Sequence, residues 1–277
     1  MPRSPPPADA DRPPPDAKRP EPGASASADG DPAHADGDDT TVDTLLRGRV
    51  TLVQPRRGFR SSLDPVLLAR FLEPPFGRFL DIGCGTGALS FTLLSADAAA
   101  TGVGVELQPR LARLLAQGRE RNRIAGRFEI LEGDIRARAA TLAARPFDLV
   151  ATNPPFRQVE RGVSSPHEER ALANHEHALS LTEWLDCAAR LVRPGGRVAV
   201  VYPAERLPDL LAGMRARDLA PVRLRSIHPF ADRPAVRILV EAHQGSRRGL
   251  TLEPSLTVHL GEGSGFTPEA ARILDGQ

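Results

Sequence analysis

Three glycines within five residues, Gly83, Gly85 and Gly87, stand between a short apolar run and a helical one. No other feature limits the possible folds of this chain as strongly. Gly77-Arg78-Phe79-Leu80-Asp81 has the length and character of a buried strand, and Ala88 to Leu94 reads as the start of a helix. Glycine carries no Cβ and tolerates positive φ, so Gly83-Cys84-Gly85-Thr86-Gly87 can bring backbone close to a ligand. Gly83, Gly85 and Ala88 also satisfy G-x-G-x-x-A, the pattern that sets a dinucleotide pyrophosphate on a helix N-terminus. Asp81, just before the glycines, would repel a pyrophosphate but can accept from an amino-acid ammonium. A dinucleotide and an amino-acid-bearing nucleoside therefore both remain open at this point.

The alternation continues downstream. Gly102-Val103-Gly104-Val105, Arg127 to Leu131, Phe147 to Thr152 and Arg197 to Tyr202 read as strands. Pro109 to Arg123, Leu181 to Val192 and Glu205 to Arg217 read as helices. In the first of these helices Leu111, Leu114 and Leu115 mark one apolar face. Pro194-Gly195-Gly196 reads as a stop after the second. Two late strands, Val222 to Ile227 and Val236 to Ala242, close the series. Strands alternating with helices predict an α/β fold, a mostly parallel sheet covered on both faces.

Acidic residues fall at strand ends. Glu106, followed by Leu107, is placed to accept ribose hydroxyls. Asp134, followed by Ile135, is placed to accept a nucleobase amine. Asn153-Pro154-Pro155-Phe156 then follows the strand Phe147 to Thr152. An exocyclic amine on a base is a poor nucleophile, because its lone pair is delocalised into the ring. If the Asn153 side-chain oxygen and the Pro154 carbonyl each accept one N–H, the nitrogen is held and its lone pair aimed, with little acid–base work. Consecutive prolines fix φ and stiffen the carbonyl's direction. Phe156 offers a face for a base to stack on. A glutamine side-chain amide presents the same NH2 group, so these residues alone do not separate a base from a protein amide. Nor do they rule out a dinucleotide-dependent oxidoreductase, although that would leave Asn153 to Phe156 unexplained.

These residues resemble the class I S-adenosylmethionine-dependent methyltransferases, in particular the small-domain group that includes bacterial adenine-N6 methyltransferases of tRNA. Gln54 to Arg60 and Leu63 to Leu68 resemble the segment that in this group precedes the glycine turn and walls the cofactor pocket. Arg233 to Arg237 and Phe266 to Ala270 also look familial. The resemblance spans about residues 44 to 277 and implies a Rossmann-like sheet of seven strands. It implies S-adenosyl-L-methionine held by Asp81, Gly83, Cys84, Gly85, Gly87, Glu106, Leu107, Asp134, Ile135 and Asn153. Asn153, Pro154, Pro155 and Phe156 would carry catalysis, with RNA as substrate, tRNA foremost. A protein glutamine amide is the alternative. One departure is Phe156, where the family more often has Tyr; stacking survives and a hydroxyl contact does not.

Charge and composition divide the chain. Residues 1–43 hold ten acidic and four basic side chains and few large apolar ones, and read as a disordered tail. Its acidity argues against a transit peptide. Residues 44–277 hold 25 acidic and 32 basic side chains, a balance suited to a phosphate-bearing substrate. Arg223, Arg225, Arg233, Arg237, Arg247 and Arg248 form a candidate basic region, fewer than half of them expected at RNA. The polar stretch from Arg157 to His177 reads as a substrate-side lid. Its His175-Glu176-His177 lacks a third ligand, so no metal is expected. No apolar stretch is long enough to span a membrane. Two cysteines, Cys84 and Cys187, suit a reducing cytoplasm, and a monomer is expected.

Overall fold

The computed structural model of the chain describes residues 39–154 and 179–277. The expected tail up to Asp38, the catalytic positions Pro155 and Phe156, and the polar segment with His175-Glu176-His177 lie outside the described residues.

The first strand pair is an antiparallel hairpin of β1 (Thr40–Leu45) and β2 (Val50–Pro55). The boundary expected after Asp43 falls inside β1, where Asp43 pairs with Leu52. A six-residue strand with polar residues at its start carries too weak a period to separate it from the acidic stretch before it.

Helix α1 (Asp64–Phe71) leads to β3 (Arg78–Ile82), whose Phe79 and Leu80 are fully buried and point to opposite faces. After α2 (Ala88–Ala96) come β4 (Thr101–Glu106), α3 (Pro109–Arg121), β5 (Phe128–Glu132), α4 (Ile135–Leu142) and β6 (Phe147–Thr152). Helix α5 (Leu181–Leu191) starts in a capping box, the Ser180 hydroxyl accepting from the Glu183 N–H and Glu183 accepting from the Ser180 N–H. Its Trp184, Leu185, Ala188 and Leu191 are buried at helical spacing, so Trp184 is a core residue. β7 (Val192–Pro203), α6 (Leu207–Arg215), β8 (Leu219–His228) and β9 (Arg237–Gln244) follow.

β3, β4, β5, β6 and β7 run parallel, and β9 lies antiparallel between β7 and β8. These seven long strands are the expected sheet. Two short strands, β10 (Thr251–Leu252) and β11 (Leu256–Thr257), pair with β8 and make the sheet nine-stranded. Two residues have no period to detect. Helix α7 (Pro268–Leu274) closes the described chain. One core, with Phe71, Phe91 and Phe128, packs under α1, α2 and α3; the other, with Val105, Val150 and Trp184, packs under α4, α5 and α6.

Pro194-Gly195-Gly196 does not separate helix from strand as expected. β7 already begins at Val192, which pairs with Phe147; the next partners are Arg197 and Leu149, so the residues between bulge from the ladder. Gly195 has φ +71°, and a Cβ on Gly196 would sit 2.9 Å from the Arg193 carbonyl oxygen.

Candidate functional site

Sheet order runs β7-β6-β3-β4-β5, so the chain winds outward from β3 on one side and, after β5, crosses over to β6 on the other. The carboxyl ends of β3 and β6 therefore flank a topological switch point, the place where open α/β sheets form a ligand crevice. Ile82 pairs with Thr152 there, and the Thr152 hydroxyl donates to the Ile82 carbonyl at 2.8 Å. Gly83 thus begins the glycine turn directly beside Asn153.

The turn is built for close approach. Gly83, Gly85 and Gly87 have φ of +70°, +55° and +93°. A Cβ on Gly83 would meet nothing within 4 Å, so its backbone faces open space. Gly83 and Cys84 donate to the Val105 carbonyl, which ties the turn to β4. Gly87 is different: a Cβ there would lie 2.6 Å from Leu115 Cδ1, so its glycine serves packing.

Asp81, Glu106, Asp134 and Asn153 stand at or just past the carboxyl ends of β3, β4, β5 and β6. Asp81 is 1% exposed and accepts from Ser90 Oγ at 2.6 Å. Burial pushes its carboxyl up to about 7, against the Ser90 hydrogen bond and with a contribution from the neighbouring Glu106. Glu106 is buried too, and burial raises its pKa while backbone N–H bonds oppose the rise. Its Oε2 accepts from the Gly85 N–H at 2.8 Å and its Oε1 from the Gln108 N–H at 2.9 Å. One lone pair on each oxygen remains for a diol, and the carboxylate also fixes the loop. Asp134 caps α4, accepting from the Arg136 N–H at 2.8 Å, and its carboxylate is gripped by the Arg136 guanidinium, which reaches on to Glu183 at 2.7 Å. Asn153 Oδ1 is buried and has no hydrogen-bond partner among the described residues. A buried acceptor without a donor is costly unless a ligand supplies one. Thr86 Oγ1, inside the turn, is in the same condition.

Two expected contacts change character. Cys84 is buried with Sγ against Gly104, where a Cβ would come within 2.7 Å of it. Burial, then Asp81 and Glu106, push its thiol well above the usual range, so only its backbone can meet a cofactor. Ile135 is likewise packed in the core beneath α4, because the first turn of that helix faces the sheet. Leu107, by contrast, is exposed at the end of β4.

The structure adds partners that strand-and-motif reading does not reveal. Ser90 supports Asp81, Arg136 holds Asp134 and Thr152 links two strands. Phe59 lies over the turn, its ring 3.1 Å from where a Gly85 Cβ would be. The segment bearing Phe59 is tied to the hairpin: Arg60 donates to Asp43 and Thr41 at 2.8 Å, Gln54 to Asp43 at 2.7 Å, and Ser61 N–H to Gln54 at 2.7 Å.

Three of the six C-terminal arginines are structural. Arg223 is bonded to Glu253 at 2.7 Å and to Glu241 at 2.9 Å, Arg225 to Glu269, and Arg237 to Asp64 at 3.1 Å. Arg247 and Arg248 are exposed.

A switch-point crevice with a glycine turn, buried carboxylates at successive strand ends and an unmet Asn acceptor defines a class I S-adenosylmethionine-dependent methyltransferase. The chain belongs to the methyltransferase small domain family, whose sequence profile matches residues 63–206. A Porphyromonas gingivalis tRNA1(Val) (adenine(37)-N6)-methyltransferase is 30% identical over 237 residues, covering 82% of this chain and 91% of that one. A Dickeya chrysanthemi protein of the same name is 34% identical over 170 residues, 61% of this chain and 66% of its own. Among solved structures, a predicted O-methyltransferase of Agrobacterium tumefaciens superposes with TM-score 0.61 at 24% identity, over 77% of this chain and 96% of that one. The Thermus thermophilus 16S rRNA N2 G1207 methyltransferase, in complex with AdoMet and guanosine, gives 0.51 at 20% identity, over 74% and 50%. These two likenesses concern the fold.

Proposed function

We propose that this enzyme methylates the exocyclic N6 amine of an adenine in tRNA, using S-adenosyl-L-methionine. The observation that carries the reading is Asn153 Oδ1, a buried acceptor with no donor among the described residues, at the crossover beside the glycine turn. An N–H of the target amine is a donor that suits this atom. The Pro154 carbonyl accepts the second N–H, Pro155 stiffens the turn, and Phe156 stacks on the base. Bound S-adenosylmethionine supplies an electrophilic methyl group. Asp81 meets its amino-acid ammonium, Gly83 and Gly85 admit its approach, Glu106 accepts from its ribose hydroxyls, and Asp134 accepts from its adenine amine. Leu107 covers the adenine, and Gly87, Cys84 and Ile135 hold the surrounding backbone in place.

Support for adenine in tRNA comes from the names of the relatives and from the basic balance of residues 44–277. A protein glutamine amide presents the same NH2 group, but nothing in that reading uses the excess of arginine. No described helix is long and apolar enough to cross a membrane. We place the enzyme in the cytoplasm, acting as a monomer.

The test is transfer of label from S-adenosylmethionine to total tRNA, and separately to a protein extract, both from a strain lacking this gene. Label in tRNA that digests to N6-methyladenosine is the expected result. Label in protein alone moves the assignment to a glutamine amide.

A further inference from the structure

Three rings form a run where β8 ends. Phe230 and His259 have centroids 5.8 Å apart; His259 and Phe266 are 5.2 Å apart with planes within 23° of parallel. The run is fixed by backbone. The His259 N–H donates to the Pro229 carbonyl at 3.0 Å, His259 and Phe266 form an antiparallel bridge, and Leu260 N–H closes the turn on the Gly265 carbonyl at 3.1 Å. Directly afterwards Thr267 donates its N–H to the Val258 carbonyl and caps α7, its hydroxyl accepting from the Ala270 N–H.

Packing alone does not account for this arrangement. Phe266 is the outermost ring and is 40% exposed, with one face laid on His259. Adjacent Leu260 is 67% exposed. Isolated apolar residues on a surface are ordinary; a rigid ring with a covered back and an open front is the shape of a stacking platform.

Its location ties it to the methyl-transfer site. β8 is antiparallel to β9 and β9 to β7, so β8 runs with β6 and ends at the same edge of the sheet as Asn153. His259 and Phe266 follow β11, which pairs with β8 on the side away from β9. Four strand spacings therefore separate them from β6, about 19 Å at ~4.8 Å each. β8 also runs four residues past Leu224, the residue level with Thr152. Backbone continues along this edge, Val236 N–H reaching Ile227 and Ala204 N–H reaching Val236. Two exposed cations flank it, Arg206 and Arg233, each only loosely paired, with Asp209 at 3.5 Å and Glu262 at 3.8 Å.

We infer that Phe266, backed by His259 and Phe230, stacks an unpaired base of the RNA substrate other than the one that is methylated. The inference rests on the tRNA reading above. Stacking on an aromatic face tolerates any base, so the platform sets affinity and register and leaves base identity to other contacts. The separation suits a base a few nucleotides from the target, held while the target is turned out into the crevice.

Phe266→Ala, Phe266→Leu and Phe266→Trp test this with full-length enzyme, S-adenosylmethionine and tRNA from a strain lacking the gene. Phe266→Ala should raise the KM for tRNA about tenfold. Its kcat, its S-adenosylmethionine affinity and the salt slope of RNA binding should stay unchanged, because no phosphate contact is lost. Phe266→Trp should restore KM; Phe266→Leu, which keeps apolar packing without a π face, should not. Single abasic substitutions through the substrate loop complete the test. At one position the wild type should lose as much as Phe266→Ala does, and the variant should lose nothing more. Equal KM values for wild type and Phe266→Ala overturn the platform, as does rescue by Leu as full as by Trp, or abasic losses that multiply with the variant's at every position. If wild-type enzyme labels no RNA, the tRNA reading falls and the platform with it. If the wild type labels tRNA and Phe266→Ala does so equally well, the platform alone falls.

Discussion

The hydroxyl of Thr152 donates to the carbonyl of Ile82 at 2.8 Å, joining the strand that delivers Asn153 to the strand that delivers the glycine turn. Both residues are buried, and each is the last of its strand. The bond therefore sets how Asn153 stands relative to the glycine turn.

Thr152→Val keeps the side-chain shape and removes that donor. Loss of one buried hydrogen bond should cost about 1 kcal/mol of stability. Because misplacing a reacting group by an ångström can cost up to ~100-fold, kcat should fall about tenfold or more. Denaturant titration and steady-state kinetics check the pair; an unchanged kcat would show that the two strand ends are positioned independently.

Asn153→Ala removes a buried acceptor that has no donor among the described residues. With one preorganised polar partner gone, kcat should drop by about 10²–10³. S-adenosylmethionine affinity, measured by calorimetry, should barely change. A rate within twofold of the wild type would remove the argument for nitrogen positioning.

The glycines should separate binding from stability. Gly83→Ala faces open space, so its folding cost should be that of a left-handed residue alone, ~1–2 kcal/mol. Its cofactor affinity should nonetheless fall sharply. Gly87→Ala adds a 2.6 Å clash with Leu115 to an unfavourable φ, so it should destabilise by ~2–4 kcal/mol. Thermal melts with and without S-adenosylmethionine distinguish the two; similar melts for both variants would contradict the assignment.

Asp81 makes stability and binding pull in opposite directions with pH. Its carboxyl is raised from 3.8 to about 7, chiefly by burial, so between those values the folded protein binds a proton that the unfolded chain has lost. Stability contributed below 3.8 is lost as pH rises through about 7, with each pKa unit worth about 1.4 kcal/mol. Asp81→Asn should therefore melt higher than wild type at pH 8 and gain little at pH 4, while binding S-adenosylmethionine poorly at both. Wild-type affinity should rise with pH through about 7, as the carboxylate forms for the ammonium. A variant melting lower than wild type at pH 8 would contradict the burial argument.

Much of the site was legible because its signals are local. The glycines need positive φ, the carboxylates need strand ends, and Asn153 needs the strand before it; each is written within a few residues. Less was legible where a side chain's role depends on its surroundings. Cys84 lies in the glycine turn and Ile135 directly after Asp134, but their side chains turn into the core, and contiguity with a motif does not reveal that. The hairpin strand that holds Asp43 was hidden in an acidic stretch, although Asp43 anchors Arg60 and Gln54 beneath Phe59.

By itself the sequence determined the alternating α/β order and put the glycine turn and Asn153 after strands, since hydrophobic period and backbone freedom are properties of neighbours along the chain. Only the tertiary structure decided which charges are available. Arg237 meets Asp64 across 173 positions, and Arg223 meets Glu241 within the sheet, so residues that read as a basic surface hold the fold together. Tertiary structure also set the Phe230, His259 and Phe266 rings beside one another at the edge that bears Asn153. Strand order brings them there, and strand order comes from packing both faces of one sheet rather than from any local run of residues.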